Sequence, residues 1–94
     1  MNTSPRQKIL IVDDEPDIRA LLEITLGRMK LETFSARNVG EAQALLQREH
    51  FDLCLTDMRL PDGTGLELVQ HIQQRDPHLP VAMITAYGSL ERAI

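Results

Sequence analysis

The sequence predicts an α/β fold in which an open, doubly wound parallel sheet carries helices on both faces. Continuous, largely apolar runs at Lys8–Val12, 52–56 and 81–86 have the length expected of buried strands. Between these runs, apolar residues recur at the spacing of one helical face. Strands that alternate with helices pair in parallel through right-handed crossovers. With only 3% aromatic residues, the core must be built from aliphatic side chains.

The first half of the chain predicts two strands and two helices. Proline suits a first helical position and acidic residues favour a helix N-terminus, so the first helix starts near Pro16. Its apolar face consists of Ile18, Leu21, Leu22, Thr25, Leu26 and Met29. Glu32–Ala36 is short and mixed in polarity, as expected of an edge strand. Asn38 can cap the second helix, whose apolar face consists of Val39, Ala42, Leu45 and Leu46.

The second half alternates in the same way. After the strand at 52–56, residues 59–64 contain Pro61, Asp62 and Gly63, which are typical of a loop. The third helix then presents an apolar face formed by Gly65, Leu68, Val69 and Ile72. Pro77 and Pro80 bracket the turn that leads into the strand at 81–86. Residues 87–94 have the pattern of a further helix.

Composition and charge exclude several classes of function. A chain of 94 residues forms at most one domain, and residues 1–7 read as a flexible lead-in. The formal net charge of −4 and the absence of a basic run argue against direct binding of nucleic acid. No apolar stretch reaches the roughly 20 residues of a membrane span, and residues 1–7 lack the apolar segment of a secretory signal. The single cysteine, Cys54, fits a reducing compartment, so we expect a cytoplasmic protein.

Three aspartates come directly after two of the predicted strands. Asp13 and Asp14 follow the first strand, and Asp57 follows the strand at 52–56. The carboxyl ends of parallel strands meet at one sheet edge, where ligands bind in open α/β folds. Close carboxylates need a cation between them, and Mg²⁺ prefers oxygen ligands, which Asp14, Asp57 and the backbone carbonyl of Arg59 can supply. The alternative is that Asp13, Asp14 and the acidic residue after them only complement the dipole of the first helix.

Asp57 can also act as a nucleophile, because a carboxylate attacks phosphorus to form an aspartyl phosphate. Such a transfer needs mainly positioning and neutralisation of charge on the phosphoryl oxygens. At the end of the strand at 81–86, the hydroxyl of Thr85 and the backbone N–H of Ala86 can donate to those oxygens. Taken alone, Thr85 is better explained as a β-branched residue that serves only the strand. Its place at the carboxyl end of a strand, beside the aspartates, favours the hydroxyl donor instead.

Three segments resemble the receiver domain of two-component response regulators. They read Ile-Leu-Ile-Val-Asp-Asp-Glu-Pro at 9–16, Thr-Asp-Met-Arg-Leu-Pro-Asp-Gly-Thr-Gly-Leu-Glu-Leu at 56–68 and Ile-Thr-Ala-Tyr-Gly at 84–88. The resemblance covers residues 8–94 and implies a flavodoxin-like sheet, here with strand order 2-1-3-4. It also implies Mg²⁺ as cofactor and a sensor histidine kinase as partner. In detail, residues 58–68 and 85–94 are similar to receivers of σ54-dependent transcriptional activators.

The resemblance also implies a role for each site residue. Asp57 corresponds to the phosphoacceptor, and Asp13 and Asp14 to the acidic pair that organises Mg²⁺, with Asp14 as a direct ligand. Thr85 corresponds to the switch hydroxyl, while Arg59 and Tyr87 occupy positions that tune how long the phosphoryl group survives. A receiver takes part stoichiometrically in its own phosphorylation and dephosphorylation, so we do not expect an enzyme.

The chain departs from the family in one respect. Receivers carry a fifth strand and helix, and that strand ends in a lysine that pairs with the phosphoryl group. The lysines here, Lys8 and Lys30, lie at the wrong positions to substitute. We therefore expect an incomplete receiver over residues 8–94, whose strand at 81–86 forms an exposed apolar edge. Such an edge predicts self-association, including a homodimer.

Three functions remain open at this point. The first is a phosphorylatable receiver that switches a transcriptional output. The second is a receiver-like interaction module, impaired in phosphorylation, that acts through dimerisation. The third is an aspartyl-phosphate phosphatase of another α/β family, which the sequence disfavours because the usual Asp-x-Asp arrangement on one strand is absent.

Overall fold

The computed structural model describes residues 6–84 and 90–92, the last three by their backbone. The elements in chain order are β1 (Lys8–Val12), α1 (Pro16–Arg28), β2 (Glu32–Ala36), α2 (Val39–Arg48), β3 (Leu53–Asp57), β4 (Arg59–Leu60), β5 (Gly63–Thr64), α3 (Gly65–Arg75), β6 (Val81–Ile84) and β7 (Leu90–Arg92). Among these residues, the helices lack the combination of length and apolarity that crossing a bilayer requires.

The main sheet has the strand order β2-β1-β3-β6-β7. Its first four strands are parallel, as predicted, and β6 is the fourth strand of the predicted 2-1-3-4 order. Val12 of β1 pairs with Ala36 on one side and Thr56 on the other. Asp57, one residue further along β3, pairs with Ile84 of β6. This register brings the carboxyl ends of β1, β3 and β6 to the same edge of the sheet.

Helices pack on both faces of the sheet, because successive strand residues point to opposite sides. The larger cluster of buried residues includes Leu10, Cys54, Leu68 and Ile72 and joins the sheet to α2 and α3. The opposite cluster contains Ile9, Ile11 and Leu55, with Leu22 and Leu26 of α1 packed against it. Burial raises the pKa of the Cys54 thiol to about 12, which makes it unreactive.

Helix α1 differs in part from its predicted apolar face. It starts at Pro16, as predicted, but none of its residues is fully buried. Leu22 and Leu26 pack against the sheet. Leu21 and the C-terminal Met29 were assigned to the same face, but they are 60% and 64% exposed. Apolar residues lie around much of this helix, so their spacing alone did not identify the face that packs.

The N-termini of α2 and α3 are capped by side chains. Asn38 accepts a hydrogen bond from the backbone N–H of Glu41 at 2.8 Å, which confirms the predicted cap. Thr64 accepts one from the N–H of Glu67 at 3.1 Å. Both caps stand three residues before a glutamate, the sequence signature of a capping box. These caps fix where the helices start after β2 and β5.

Two local predictions are corrected. Residues 59–64, predicted as a loop, contain a short antiparallel hairpin of β4 and β5, with Arg59 opposite Thr64 and Leu60 opposite Gly63. Part of the helix predicted over 87–94 is also wrong, because Leu90–Arg92 forms β7. A short local pattern was overridden here by the pairing that a neighbouring strand offers.

Strand β7 changes the environment of β6. It pairs antiparallel with residues 82–84, with Ala82 opposite Arg92 and Ile84 opposite Leu90. The predicted exposed edge is therefore wrong for these residues, whose outer side is paired within the chain. An unpaired strand edge leaves backbone donors and acceptors unsatisfied, and β7 supplies partners for them. Self-association through this edge remains a prediction, but it loses its structural basis along residues 82–84.

Candidate functional site

The three aspartates meet at the carboxyl edge of the sheet, as the sequence predicted. Asp13 and Asp14 follow β1, and Asp57 ends the neighbouring strand β3. One carboxylate oxygen from each of the three lies within 4.8 Å of the other two. The parallel pairing of Val12 with Thr56 brings about this convergence, because it places the following residues side by side. We call Asp13, Asp14 and Asp57 the carboxylate cluster.

The two adjacent aspartates of the cluster have different surroundings. Asp13 is only 3% exposed, whereas Asp14 is exposed and Asp57 half-buried. Asp13 Oδ1 accepts a hydrogen bond from the N–H of Glu15 at 2.9 Å. The backbone of Asp13 is also held, because Arg19 Nη1 donates to its carbonyl oxygen at 2.7 Å. Asp13 is thus fixed inside the site, while Asp14 and Asp57 face the solvent side.

The pKa of Asp13 is raised above the ordinary value of an aspartate. Burial is the largest cause, and the negative charges of Asp57, Asp14 and Glu15 add to it, while the hydrogen bond from the Glu15 N–H opposes it. A cation bound among the three carboxylates would offset both the burial of the Asp13 charge and the repulsion from the neighbouring negative charges. The donor set consists of hard carboxylate oxygens and fits Mg²⁺ better than a softer metal.

Asp57 is held by the segment that follows it. The N–H of Met58 donates to Asp57 Oδ1 at 2.7 Å, and the N–H of Gly65 donates to the Met58 carbonyl at 2.8 Å. Helix α3 starts so close to β3 that a Cβ at position 65 would lie 2.2 Å from the Asp57 carbonyl oxygen. Position 65 therefore requires glycine because of this close approach. The sequence showed Gly65 only as a residue of the third helix's apolar face and of the receiver-like segment at 56–68.

An open cleft lies over the carboxylate cluster. It is lined by Asp14, Glu15, Asp57, Met58, Arg59, Leu60, Pro61 and Ile84. Arg59 lines the same cleft as Asp14 and Asp57, and the role of its carbonyl as a metal ligand stays a prediction. Thr85, Ala86 and Tyr87 lie outside the described residues. Ile84, which precedes them, pairs with Asp57 and lines the cleft.

One contact near the site was not predicted. Asp62, at the tip of the β4–β5 hairpin, accepts hydrogen bonds from the backbone N–H groups of Val39 and Gly40 at 2.8 and 3.0 Å. These hydrogen bonds hold the pKa of Asp62 below its usual value. The sequence showed Asp62 only as a loop residue, because a contact across 22 and 23 residues leaves no local signal.

Comparison with known proteins assigns this arrangement to a family. The family model described as the response regulator receiver domain matches residues 9–94. The chain belongs to the response regulator receiver domain family. It is 81% identical over 89 residues to the response regulator protein PilR of Pseudomonas aeruginosa, covering 95% of this chain and 20% of PilR. It is 38% identical over 85 residues to sporulation initiation phosphotransferase F of Bacillus subtilis, covering 90% of this chain and 68% of that protein.

Solved receiver structures show the same fold. The response regulator TrrA of Thermotoga maritima, solved in complex with Mg²⁺ and BeF, superposes with a TM-score of 0.82 at 34% identity, covering 86% of this chain and 70% of that one. A receiver domain protein of Methanospirillum hungatei superposes with a TM-score of 0.85 at 34% identity, covering 90% and 68%. The predicted flavodoxin-like receiver fold is thereby confirmed. The chain spans about a fifth of PilR, so this assignment concerns the receiver domain itself.

Proposed function

We propose that this receiver domain accepts a phosphoryl group on Asp57 while Mg²⁺ is bound at the carboxylate cluster. The observation that supports this most is the convergence of three carboxylate oxygens within 4.8 Å at the carboxyl edge of the sheet. Asp57 is the member at a strand end that is reachable from the cleft and held by its own loop. Asp13 is too buried to meet a phosphodonor.

Asp14, Asp57 and the backbone carbonyl of Arg59 would hold Mg²⁺, and Asp13 would support them from the buried side. When bound, Mg²⁺ neutralises charge on the carboxylates and on the phosphoryl oxygens. The chain's own contribution is to fix the carboxylates beforehand. The hydrogen bond from the Glu15 N–H orients Asp13, and the one from the Met58 N–H orients Asp57. Oriented ligands bind metal more tightly, because less ordering is left to the binding step.

A sensor histidine kinase would be the phosphodonor in the cell. A carboxylate oxygen of Asp57 forms a bond to phosphorus while the bond from phosphorus to the histidine nitrogen breaks, and the electron pair of that bond stays on the imidazole. Thr85 and Ala86 would donate hydrogen bonds to the transferred group through a hydroxyl and a backbone N–H. Ile84 pairs with Asp57, and Thr85 and Ala86 follow Ile84 directly in the sequence. This order supports their proposed role as donors. Arg59 and Tyr87 would tune the lifetime of the aspartyl phosphate.

We further propose that phosphorylation switches a transcriptional output located elsewhere in the parent protein. The chain is 34% identical over 86 residues to the transcriptional regulatory protein GlrR of Escherichia coli, of which it covers 19%. An output of the σ54-dependent type agrees with the resemblance at residues 58–68 and 85–94. The domain itself would act stoichiometrically rather than as an enzyme. A cytoplasmic location agrees with the free thiol of Cys54.

Labelling with a small phosphodonor tests the assignment of Asp57. The chain is incubated with Mg²⁺ and acetyl phosphate, and covalent phosphoryl is measured by intact mass before and after treatment with base. We expect base-labile label that is abolished in Asp57→Asn. Asp52→Asn is the matched control, because Asp52 immediately precedes the same strand at the opposite sheet edge. Equal labelling of Asp57→Asn and wild type would refute the assignment.

A further inference from the structure

We infer that Asp62 is a positioning residue that fastens the β3–α3 loop, residues 58–64, to the N-terminus of α2 and so holds the site in its metal-binding geometry. This inference rests on the proposed function, because the loop carries the Arg59 carbonyl and begins directly after Asp57. Asp62 itself does not line the cleft. Its effect on the cation would pass through the backbone of the loop.

Both oxygens of the Asp62 carboxylate are used in the contact with α2. Oδ1 accepts from the N–H of Val39 at 2.8 Å, and Oδ2 accepts from the N–H of Gly40 at 3.0 Å. Two simultaneous hydrogen bonds fix the orientation of a side chain much better than one. The negative charge also lies at the positive end of the helix dipole. The hairpin tip is therefore attached to α2 at a defined position, although Asp62 is exposed.

Helix α2 already has a cap of its own. Asn38 accepts from the N–H of Glu41 at 2.8 Å, and the Asn38 carbonyl accepts from the N–H of Ala42 at 3.1 Å. Asp62 satisfies the remaining two N–H groups of the first turn. Asn38 is local to the helix, whereas Asp62 comes from a hairpin 22 residues beyond Gly40. Among the residues that the structure describes, the hydrogen bonds between α2 and the loop are those that Asp62 accepts.

Close packing supports this connection. A Cβ added at Gly63 would lie 3.2 Å from Val39 Cγ2, and one added at Gly40 would lie 3.5 Å from Asp62 Oδ2. The hairpin tip thus rests directly on the first turn of α2. Val39 is buried in the larger core cluster, so the surface that receives the hairpin is itself fixed.

The hairpin carries the constraint from Asp62 back to the site. Asp62 lies three residues after Arg59 in the same hairpin. The pairing of Arg59 with Thr64 across β4 and β5 limits how far these residues can move apart. The other end of the loop is closed by the hydrogen bond from the Gly65 N–H to the Met58 carbonyl at 2.8 Å. With Asp62 replaced, the loop keeps this closure and the packing of Gly63 on Val39, but it loses its hydrogen bonds to α2 at the tip. The Arg59 carbonyl would then have to be ordered when Mg²⁺ binds, which weakens binding.

Paired cap variants of the same helix test the inference. Asp62→Ala and Asn38→Ala each remove side-chain hydrogen bonds at the N-terminus of α2, but only Asp62→Ala releases the loop. Mg²⁺ affinity is measured by calorimetric titration. We expect it to fall about tenfold in Asp62→Ala, the lower end of what loss of a supporting residue costs a metal site. Asn38→Ala should stay near wild type, and Asp62→Asn, which retains an acceptor oxygen, should recover part of the affinity.

Backbone hydrogen exchange of the metal-free protein provides the second readout. Exchange over residues 58–64 should be faster in Asp62→Ala than in Asn38→Ala at equal temperature and pH. Equal Mg²⁺ affinity and equal exchange in the two variants would overturn the inference and leave Asp62 as a simple cap. Failure of the wild-type chain to bind Mg²⁺ would instead contradict the proposed function, and the exchange comparison would still decide whether Asp62 holds the loop.

Discussion

Neutralising Asp13 should stabilise the metal-free chain and weaken its response to Mg²⁺. Asp13 is only 3% exposed and lies against two further carboxylates, so its charge is unfavourable when no cation is present. The substitution Asp13→Asn removes the charge with almost no change in shape. Asparagine retains an Oδ1 that can still accept the hydrogen bond from the Glu15 N–H. The orientation of the side chain should therefore survive.

The expected size follows from the separation of the charges. Two like unit charges 4.8 Å apart repel by about 3 kcal/mol at an effective dielectric constant of about 20 and by about 1 kcal/mol in bulk water. Because Asp14 is exposed and Asp57 half-buried, water screens both pairs. We therefore expect Asp13→Asn to raise the free energy of unfolding by about 1 kcal/mol at neutral pH without metal.

The gain should depend on pH. The pKa of Asp13 is raised in the folded state, so wild type loses stability as the pH rises through that pKa and recovers it below. Protonation removes the negative charge of Asp13 in wild type, just as the substitution removes it in the variant. The difference between the two proteins should therefore shrink as the pH is lowered from neutral towards the raised pKa of Asp13.

Urea unfolding followed by circular dichroism measures these differences, in EDTA and again with saturating Mg²⁺. Asp17→Asn, a chemically identical change in the first turn of α1, is the control and should give no gain. Mg²⁺ should stabilise wild type more than Asp13→Asn, because the wild-type cluster has three negative carboxylates for the cation to neutralise and the variant has two. A variant that is less stable than wild type in EDTA would refute the reasoning about repulsion in the carboxylate cluster.

Three further outcomes follow from the structure. Gly65→Ala should lower the free energy of unfolding by about 1–3 kcal/mol in urea melts and reduce labelling of Asp57, because the new Cβ would clash with the Asp57 carbonyl; unchanged stability would contradict the close approach. Leu68→Ala should cost about 2–5 kcal/mol in the same assay, since Leu68 is 0% exposed; a cost below about 1 kcal/mol would contradict its place in the core. The hydrogen bond from Lys8 lowers the pKa of Glu49, so the stability that this pair supplies is lost as the pH falls through that lowered pKa. Glu49→Gln should therefore lose less stability than wild type on acidification in urea melts. An equal loss of stability in the two proteins would count against the pair.

The fold and the carboxylate cluster were predictable because they depend on pattern and topology. Apolar runs and helical spacing indicated a parallel sheet, and in a parallel sheet the ends of β1 and β3 must meet at one edge. This topology alone predicts that Asp13, Asp14 and Asp57 lie together. The sequence did not reveal that Asp13 would be buried and Asp14 exposed, because adjacent residues differ only through the path of the chain after the strand.

The features that could not be predicted depend on tertiary contacts. Asp62 reaches α2 across 22 and 23 residues, and nothing in the loop composition around it distinguishes it from a turn aspartate. Ile24 of α1 is 56% exposed although it is strongly apolar, so hydrophobicity alone could not define the packed face. Strand β7 replaced part of a predicted helix because pairing with β6 decided its conformation. The partner of Asp62 lies far along the chain, whereas β7 pairs with a strand only 6–10 residues away, so helical spacing was overridden there by a nearby strand.

Mapping the phosphoryl group to a residue is the most direct test of the proposed function. The chain is treated with Mg²⁺ and acetyl phosphate, reduced with borohydride, which converts an aspartyl phosphate to homoserine, and then sequenced by peptide mass spectrometry. The account predicts homoserine at position 57, with Asp13 and Asp14 intact and with no conversion when EDTA replaces Mg²⁺. Homoserine at Asp13 or Asp14 in place of Asp57, or equal conversion with and without the cation, would contradict it.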